Sequence, residues 1–152
     1  MEEFLLQIIK VLKGKNITPV IYGSFGVSNY LGNFKIFEDI DILIDDDFVK
    51  NKWPEFKKLM EMNGFILIDV KEYEFEFGSK KVGFASKDIL IRDQIINDYS
   101  ELVKYKDTNA YTLTPKSFLR AYQFSLRDGY RIDTRGKKDQ DVIDRLKAYI
   151  KS

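Results

Sequence analysis

Hydrophobic positions along the chain alternate between helical and strand spacing. Phe4, Leu5, Ile8, Ile9 and Leu12 recur at helical intervals ahead of Gly14, which predicts an amphipathic opening helix. Thr18-Pro19-Val20-Ile21-Tyr22 is short, β-branched and aromatic, and predicts a buried strand running directly into Gly23-Ser24, where a second helix starts. From Phe37 the period becomes two. Ile40, Ile42 and Ile44 point one way while Asp39, Asp41 and Leu43 point the other, as in a half-buried strand. The run Asp45-Asp46-Asp47 breaks that strand, and Pro54 with Phe56, Leu59 and Met60 predicts a helix that stops at Asn63-Gly64.

Phe65 to Val70 is strand-like, and in Glu72 to Phe77 the aromatics Tyr73, Phe75 and Phe77 lie opposite Glu72, Glu74 and Glu76. A turn at Gly78-Ser79 leads into Lys81-Val82-Gly83-Phe84-Ala85, completing a hairpin. The pattern leaves open whether Phe65 to Phe77 is one bent strand or two divided near Lys71. Between Ser86 and Asp107, Ile89, Leu90, Ile95, Ile96, Tyr99 and Leu102 fit helical turns approximately, so this stretch reads as mostly helix. Thr114-Pro115 opens a helix carrying Phe118, Leu119, Tyr122 and Leu126 and ending at Gly129, and a last helix carries Val142, Ile143, Leu146 and Ile150. With no repeat, linker or low-complexity tract, one α+β domain over residues 1–152 is expected. It comprises a mixed sheet with flanking helices over about 1–113 and a helical C-terminal third over about 114–152.

Composition removes whole classes of chemistry. The 152 residues contain 25 Lys and Arg against 24 Asp and Glu, and no cysteine or histidine. A chain of this size hides roughly 70% of its unfolded surface, so it folds without disulfides or a structural metal. Nucleophile pairs that need histidine are excluded, as is thiol redox chemistry, and zinc would have to accept carboxylates alone. A bound metal must therefore be a hard, oxygen-preferring ion such as Mg²⁺. The formal charge of +1 argues against a surface that is wholly a nucleic-acid or membrane footprint. No apolar run approaches the roughly 20 residues of a membrane span, and the start MEEFLLQIIK is acidic where a secretion signal is basic, so a cytoplasmic location is the expectation.

Two features carry candidate chemistry. Asp39 and Asp41, at i and i+2 on one strand, project to the same side and can offer oxygens to a common point, a spacing that suits Mg²⁺. Their mutual repulsion is offset most easily by a bound cation, although an isolated Asp-x-Asp is more often a solvated strand face. The second is Val20-Ile21-Tyr22-Gly23-Ser24-Phe25-Gly26, where a buried strand delivers a glycine and a small hydroxyl to a helix N-terminus, a turn that attracts phosphate. It is not a Walker loop, since no Gly-Lys-Ser/Thr follows.

Together, hydrophobic-Gly23-Ser24, a helix, and Asp39-Ile40-Asp41 inside an apolar strand resemble the polymerase-β-like nucleotidyltransferase superfamily. Fourteen residues separate Ser24 from Asp39, at the long end of that pattern. Small stand-alone members, including aminoglycoside and lincosamide nucleotidyltransferases and toxin-antitoxin or abortive-infection types, are similar in size and in having a helical C-terminal part. The resemblance implies that Gly23 and Ser24 hold nucleotide phosphates, that Asp39 and Asp41 hold Mg²⁺ or Mn²⁺, and that an acceptor hydroxyl attacks the α-phosphate of an NTP with release of pyrophosphate. It also implies a third carboxylate on a following strand, which helps bind metal and accepts the acceptor's proton. For that position the sequence offers Glu72, Glu74 and Glu76, with Glu74 preferred as mid-strand and Glu76 as its alternative, although the same glutamates suit the wet face of an edge hairpin.

Arg127 to Lys138 gathers five cations in what reads as a loop between helices. Arg131 and Lys138 are its candidate nucleotide contacts, and Tyr22, Phe25 and Tyr30 are candidates for stacking on a base. The expected function is transfer of a nucleoside monophosphate from an NTP to a hydroxyl on a small molecule, protein or RNA, with no membrane partner. The alternatives are a non-catalytic nucleotide-binding or antitoxin-like module of the same fold, with a toxin-like partner protein, and an α/β domain whose Asp39 and Asp41 are surface decoration.

Overall fold

The computed structural model describes residues 1–127 and 136–152 in full, and residues 129–135 as backbone only. Helix α1 (Glu2–Lys13) buries Phe4, Leu5, Ile8, Ile9 and Leu12, with Glu2 and Glu3 in its first turn and Lys10 and Lys13 in its last, each complementing the helix dipole. Then follow β1 (Val20–Tyr22), α2 (Gly23–Leu31), β2 (Asp39–Ile44), α3 (Asp46–Val49) and α4 (Trp53–Met62). The strands β3 (Ile66–Asp69), β4 (Glu74–Phe77) and β5 (Lys80–Ser86) form a meander. The short elements α5 (Ile89–Arg92), β6 (Val103–Lys104) and β7 (Tyr111–Thr112) lead to α6 (Pro115–Arg127) and α7 (Gly129–Lys151).

The seven strands form one mixed sheet in the order β3-β4-β5-β2-β1-β7-β6. The β2–β5 and β1–β7 pairs are parallel and the others antiparallel. The architecture is α+β, as the hydrophobic pattern predicts. One face of the sheet packs Ile21, Ile40, Ile42, Ile44, Phe75, Val82 and Phe84 against α1 and α4. On the other face, Val20 and Leu43 join Val27, Leu90, Phe118, Ala121, Val142 and Leu146 in a second cluster with the C-terminal helices. The helical layer on that face therefore covers the Leu43 end of β2 and leaves its Asp39 end exposed. Among the described residues, no helix is long and apolar enough to cross a membrane.

Phe65 to Phe77 resolves as two antiparallel strands, with the turn between them containing Tyr73 at φ +48°. The expected helix between Ser86 and Asp107 is corrected. That stretch holds only the four-residue α5, a 3-10 turn at Tyr99–Glu101 and β6. Leu90 and Ile95 are both buried, yet five positions on a continuous helix would set them about 140° apart. The chain instead turns between them. A capping box then fixes the next turn, with Asp98 accepting from Ser100 N at 2.7 Å while Glu101 accepts from the Asp98 amide. The loop expected over Arg127 to Lys138 is also corrected: from Gly129 onward the segment is the start of α7. Once Val142 to Ile150 set an amphipathic helix, extending it backward costs little per residue.

Phe56 lies at the centre of the larger cluster, with ring centroids 4.8 Å from Phe84, 5.9 Å from Trp53 and 6.4 Å from Phe75. Phe56→Ala is predicted to cost about 3–5 kcal/mol in denaturant unfolding, the range for opening a cavity at a buried aromatic. Met62→Ala on the same helix, at a side chain 75% exposed, is predicted to stay within about 0.5 kcal/mol of the parent.

Candidate active site

The site starts from the β1–α2 junction. Tyr22 ends in extended backbone, and Gly23 takes φ +63°, where an L side chain is strained. A Cβ on Gly23 would also collide with the carboxylate of Asp41. Two independent constraints thus require glycine at this bend, and Ser24 follows it in the first turn of α2.

Strand register brings the acidic residues onto one face. Tyr22 pairs with Asp41, Asp41 with Gly83, and Gly83 with Glu74, so these four positions form a row across β1, β2, β5 and β4. The next row runs from Asp39 through Lys81 to Glu76. At a strand spacing of about 4.8 Å, Asp41 and Glu74 stand about 10 Å apart along the backbone. Only Gly83 lies between them. A Cβ there would sit 3.7 Å from Asp41 Oδ1 and 3.8 Å from the Glu72 carbonyl oxygen.

Gly23, Ser24, Asp39, Asp41, Glu72 and Glu74 all line one cleft of about 400 Å³. The turn and the Asp-x-Asp pair, 15 positions apart in sequence, therefore meet in space. Glu74 reaches the cleft from the first position of β4, not from mid-strand as the sequence pattern suggests, and Glu72 from the preceding turn, whereas Glu76, in the row with Lys81, does not line it. Lys138 is exposed on α7 and is not part of the lining; the side chain of Arg131 falls outside the described residues. Of the three aromatic candidates, Tyr22 lines the cleft, its ring stacked on Phe118 at 6.4 Å. Phe25 is buried against Phe37, and the Tyr30 hydroxyl donates to Leu113 O at 2.8 Å.

The helical wall of the cleft adds residues that sequence reasoning passed over. Asp139 is 3% exposed, lines the cleft and accepts from Ser125 Oγ at 3.3 Å. A signal for it existed. Asp139, Val142, Ile143 and Leu146 keep i, i+3, i+4, i+7 spacing, so a carboxylate occupies a position in the buried stripe of α7. Phe118, Tyr122 and Ser125 do the same on α6 and also line the cleft. A second omission is Lys35, whose Nζ lies 3.5 Å from Ser24 Oγ.

The described lining contains five carboxylates, those of Asp39, Asp41, Glu72, Glu74 and Asp139, and no lysine or arginine. Among the described residues no three acidic side chains converge as a closed metal-holding group. The donor chemistry nonetheless fits Mg²⁺ or Mn²⁺. Hard carboxylate oxygens suit either ion, and Mg²⁺ is commonly held by one or two carboxylates while keeping waters and taking phosphate oxygens from a substrate. Desolvation raises the pKa of Glu74 above the usual carboxylate value. Lys81 opposes the rise, and Asp39, Asp69 and Glu72 add to it.

Gly23→Ala should destabilise the fold, and pairing it with Asp41→Ala should recover the collision component but not the positive-φ component. A double-mutant cycle by chemical denaturation is predicted to show coupling of about 1 kcal/mol or more. Because folding favours the protonated form of Glu74, its charged form works against stability above the unfolded-state value of 4.5. Glu74→Gln is therefore predicted to raise the thermal midpoint at neutral pH, with the gain vanishing in acid below that value, as a pH series of melting curves would show.

No protein-family profile matches the chain. Three solved structures share its fold at low sequence identity. The lincosamide antibiotic adenylyltransferase LnuA, lincomycin-bound, is 18% identical with a TM-score of 0.63, covering 98% of this chain and 98% of its own. The antibiotic-resistance factor ANT(2'')-Ia is 11% identical in its solution structure, with a TM-score of 0.63 over 97% of this chain and 87% of its own. In complex with adenylyl-2''-tobramycin it is 10% identical, with a TM-score of 0.64 over 97% and 88%. At the level of sequence, the uncharacterized protein YnaI of Bacillus subtilis (strain 168) is 35% identical over 142 residues, 92% of this chain and 90% of its own. Its fold is shared with LnuA and ANT(2'')-Ia, and at 35% identity over most of both chains the protein belongs to the same family as YnaI.

Proposed function

We propose that this protein transfers a nucleoside monophosphate from an NTP to a hydroxyl-bearing acceptor, releasing pyrophosphate. The observation that carries the reading is the single cleft shared by the Gly23-Ser24 turn and the Asp39 and Asp41 carboxylates, within a fold also found in antibiotic adenylyltransferases. Ser24 and the unpaired amides opening α2 bind phosphate, and Gly23 allows the close approach. Asp39 and Asp41 would hold Mg²⁺ or Mn²⁺, which when bound supplies charge stabilisation at the reacting phosphate.

The acceptor oxygen forms a bond to the α-phosphorus as the bond from that phosphorus to the bridging oxygen of the β-phosphate breaks. Glu74 takes the acceptor's proton, a role its raised proton affinity suits. The acceptor enters along the α6–α7 wall, where Tyr122, Ser125 and Asp139 offer polar groups. The acidic lining favours an acceptor that is small and positively charged. A nucleotide-binding module without catalysis is the competing reading, favoured by the two-strand separation of Glu74 from Asp41, about 10 Å between backbones.

The test uses α-labelled NTPs with Mg²⁺ and a panel of amine-bearing and neutral hydroxyl compounds. Label transfer is expected with the parent protein, and Asp41→Asn should lower it at least about 100-fold while circular dichroism stays unchanged. Undiminished transfer by Asp41→Asn would remove Asp41 from the chemistry. Mg²⁺-dependent stabilisation by NTP without transfer to any acceptor would select the binding module.

A further inference from the structure

A nucleoside triphosphate adds several negative charges to a cleft whose described lining already holds five carboxylates and no lysine or arginine. Two aspartates with one divalent ion leave that excess largely uncompensated. Among the described residues, a cation from outside that lining reaches the phosphate-binding turn. That cation is Lys35, its Nζ 3.5 Å from Ser24 Oγ.

The placement of Lys35 is built by the fold. Its ammonium sits 5.6 Å over the ring of Phe37. Phe37 meets Phe25 edge-on at 5.4 Å and Phe34 at 5.7 Å, and Phe25, 7% exposed, is the residue after Ser24. An aromatic brace thus ties the 32–38 connection to the first turn of α2. The same arrangement accounts for the long spacing between Ser24 and Asp39. Helix α2 is nine residues, about 13 Å long. After Gly32 turns the chain at φ +78°, residues 32–35 and the lysine's own stem cover about that distance back to Ser24.

We propose that Lys35 is a triphosphate-binding cation of this site, holding the β- and γ-phosphates, and hence the departing pyrophosphate, together with the Ser24 hydroxyl. The proposal rests on the nucleotidyltransferase reading and adds to it a side chain outside the Gly-Ser and Asp-x-Asp motifs. An ammonium with three donors suits a flexible polyphosphate tail, where a fixed fork is not required.

The test is calorimetric titration of the full chain with inorganic tripolyphosphate and with NTP, each with Mg²⁺. Lys35→Ala and Lys35→Gln should weaken both at least about tenfold, the scale of one lost charge-assisted hydrogen bond. Lys35→Arg should stay within about threefold of the parent, and the salt dependence of tripolyphosphate affinity should flatten in Lys35→Gln. Lys106→Ala, which removes a lysine paired with Glu2, serves as the control and should bind as the parent does. Because Lys35 is exposed, Lys35→Gln should melt at the parent temperature without ligand. Equal tripolyphosphate and NTP affinity in the parent and Lys35→Gln would overturn the assignment while leaving the enzyme reading intact. A folded parent that binds neither probe would overturn both.

Discussion

The register of β2 is the constraint on which the molecule depends. Ile40, Ile42 and Ile44 are fully buried against the α1 and α4 layer, and strand parity then forces Asp39 and Asp41 onto the opposite face. A slip of one residue would drive both aspartates into the aromatic core and expose three isoleucines, so the alternative register is closed by hydrophobic burial alone. The acidic pair is thus held in place by residues that never touch it. Its mutual repulsion is tolerated because the other face of the same strand is so firmly anchored.

Glycine completes the arrangement at two places. Gly23 gives way to the Asp41 carboxylate on one side, and Gly83 stands between Asp41 and Glu74 in the same row on the other. The cleft between them is defined by absent side chains as much as by present ones. Its charge follows from the same geometry: carboxylates from β2, β4, the turn before β4 and α7 face inward, while Lys81 sits one row away and Lys35 approaches from the rim. Among the described residues the balance of the lining is therefore acidic.

The hydrophobic pattern was enough to locate α1, the β1–α2 turn, β2, the β4–β5 hairpin and the Thr114-Pro115 helix start, where Thr114 Oγ1 accepts from Ser117 N at 3.1 Å. Each has a strong local cause, whether periodic burial, a cap or a glycine. The stretch between α5 and β7 misled because its apolar residues are buried one turn at a time by distant parts of the chain; β7, for instance, is two residues long and exists through its parallel pairing with β1. The candidate site followed the same division. Gly23, Ser24, Asp39 and Asp41 could be named from their spacing, but the choice among three glutamates on one hairpin could not, since that depends on which of them meets Gly83 and which meets Lys81.

By itself, then, the sequence determined the elements with a strong local cause, the side of β2 that carries acid, and the exclusion of every chemistry that needs histidine or cysteine. These are properties of neighbours in the chain, where steric and hydrophobic preferences act over a few residues. The tertiary structure decided that Glu74 rather than Glu76 faces the cleft, that Asp139 supplies a carboxylate from a helix nearly a hundred residues after Asp41, and that Lys35 returns to Ser24. Convergence of this kind is set by sheet order and interhelical packing, and local pattern carries no record of either.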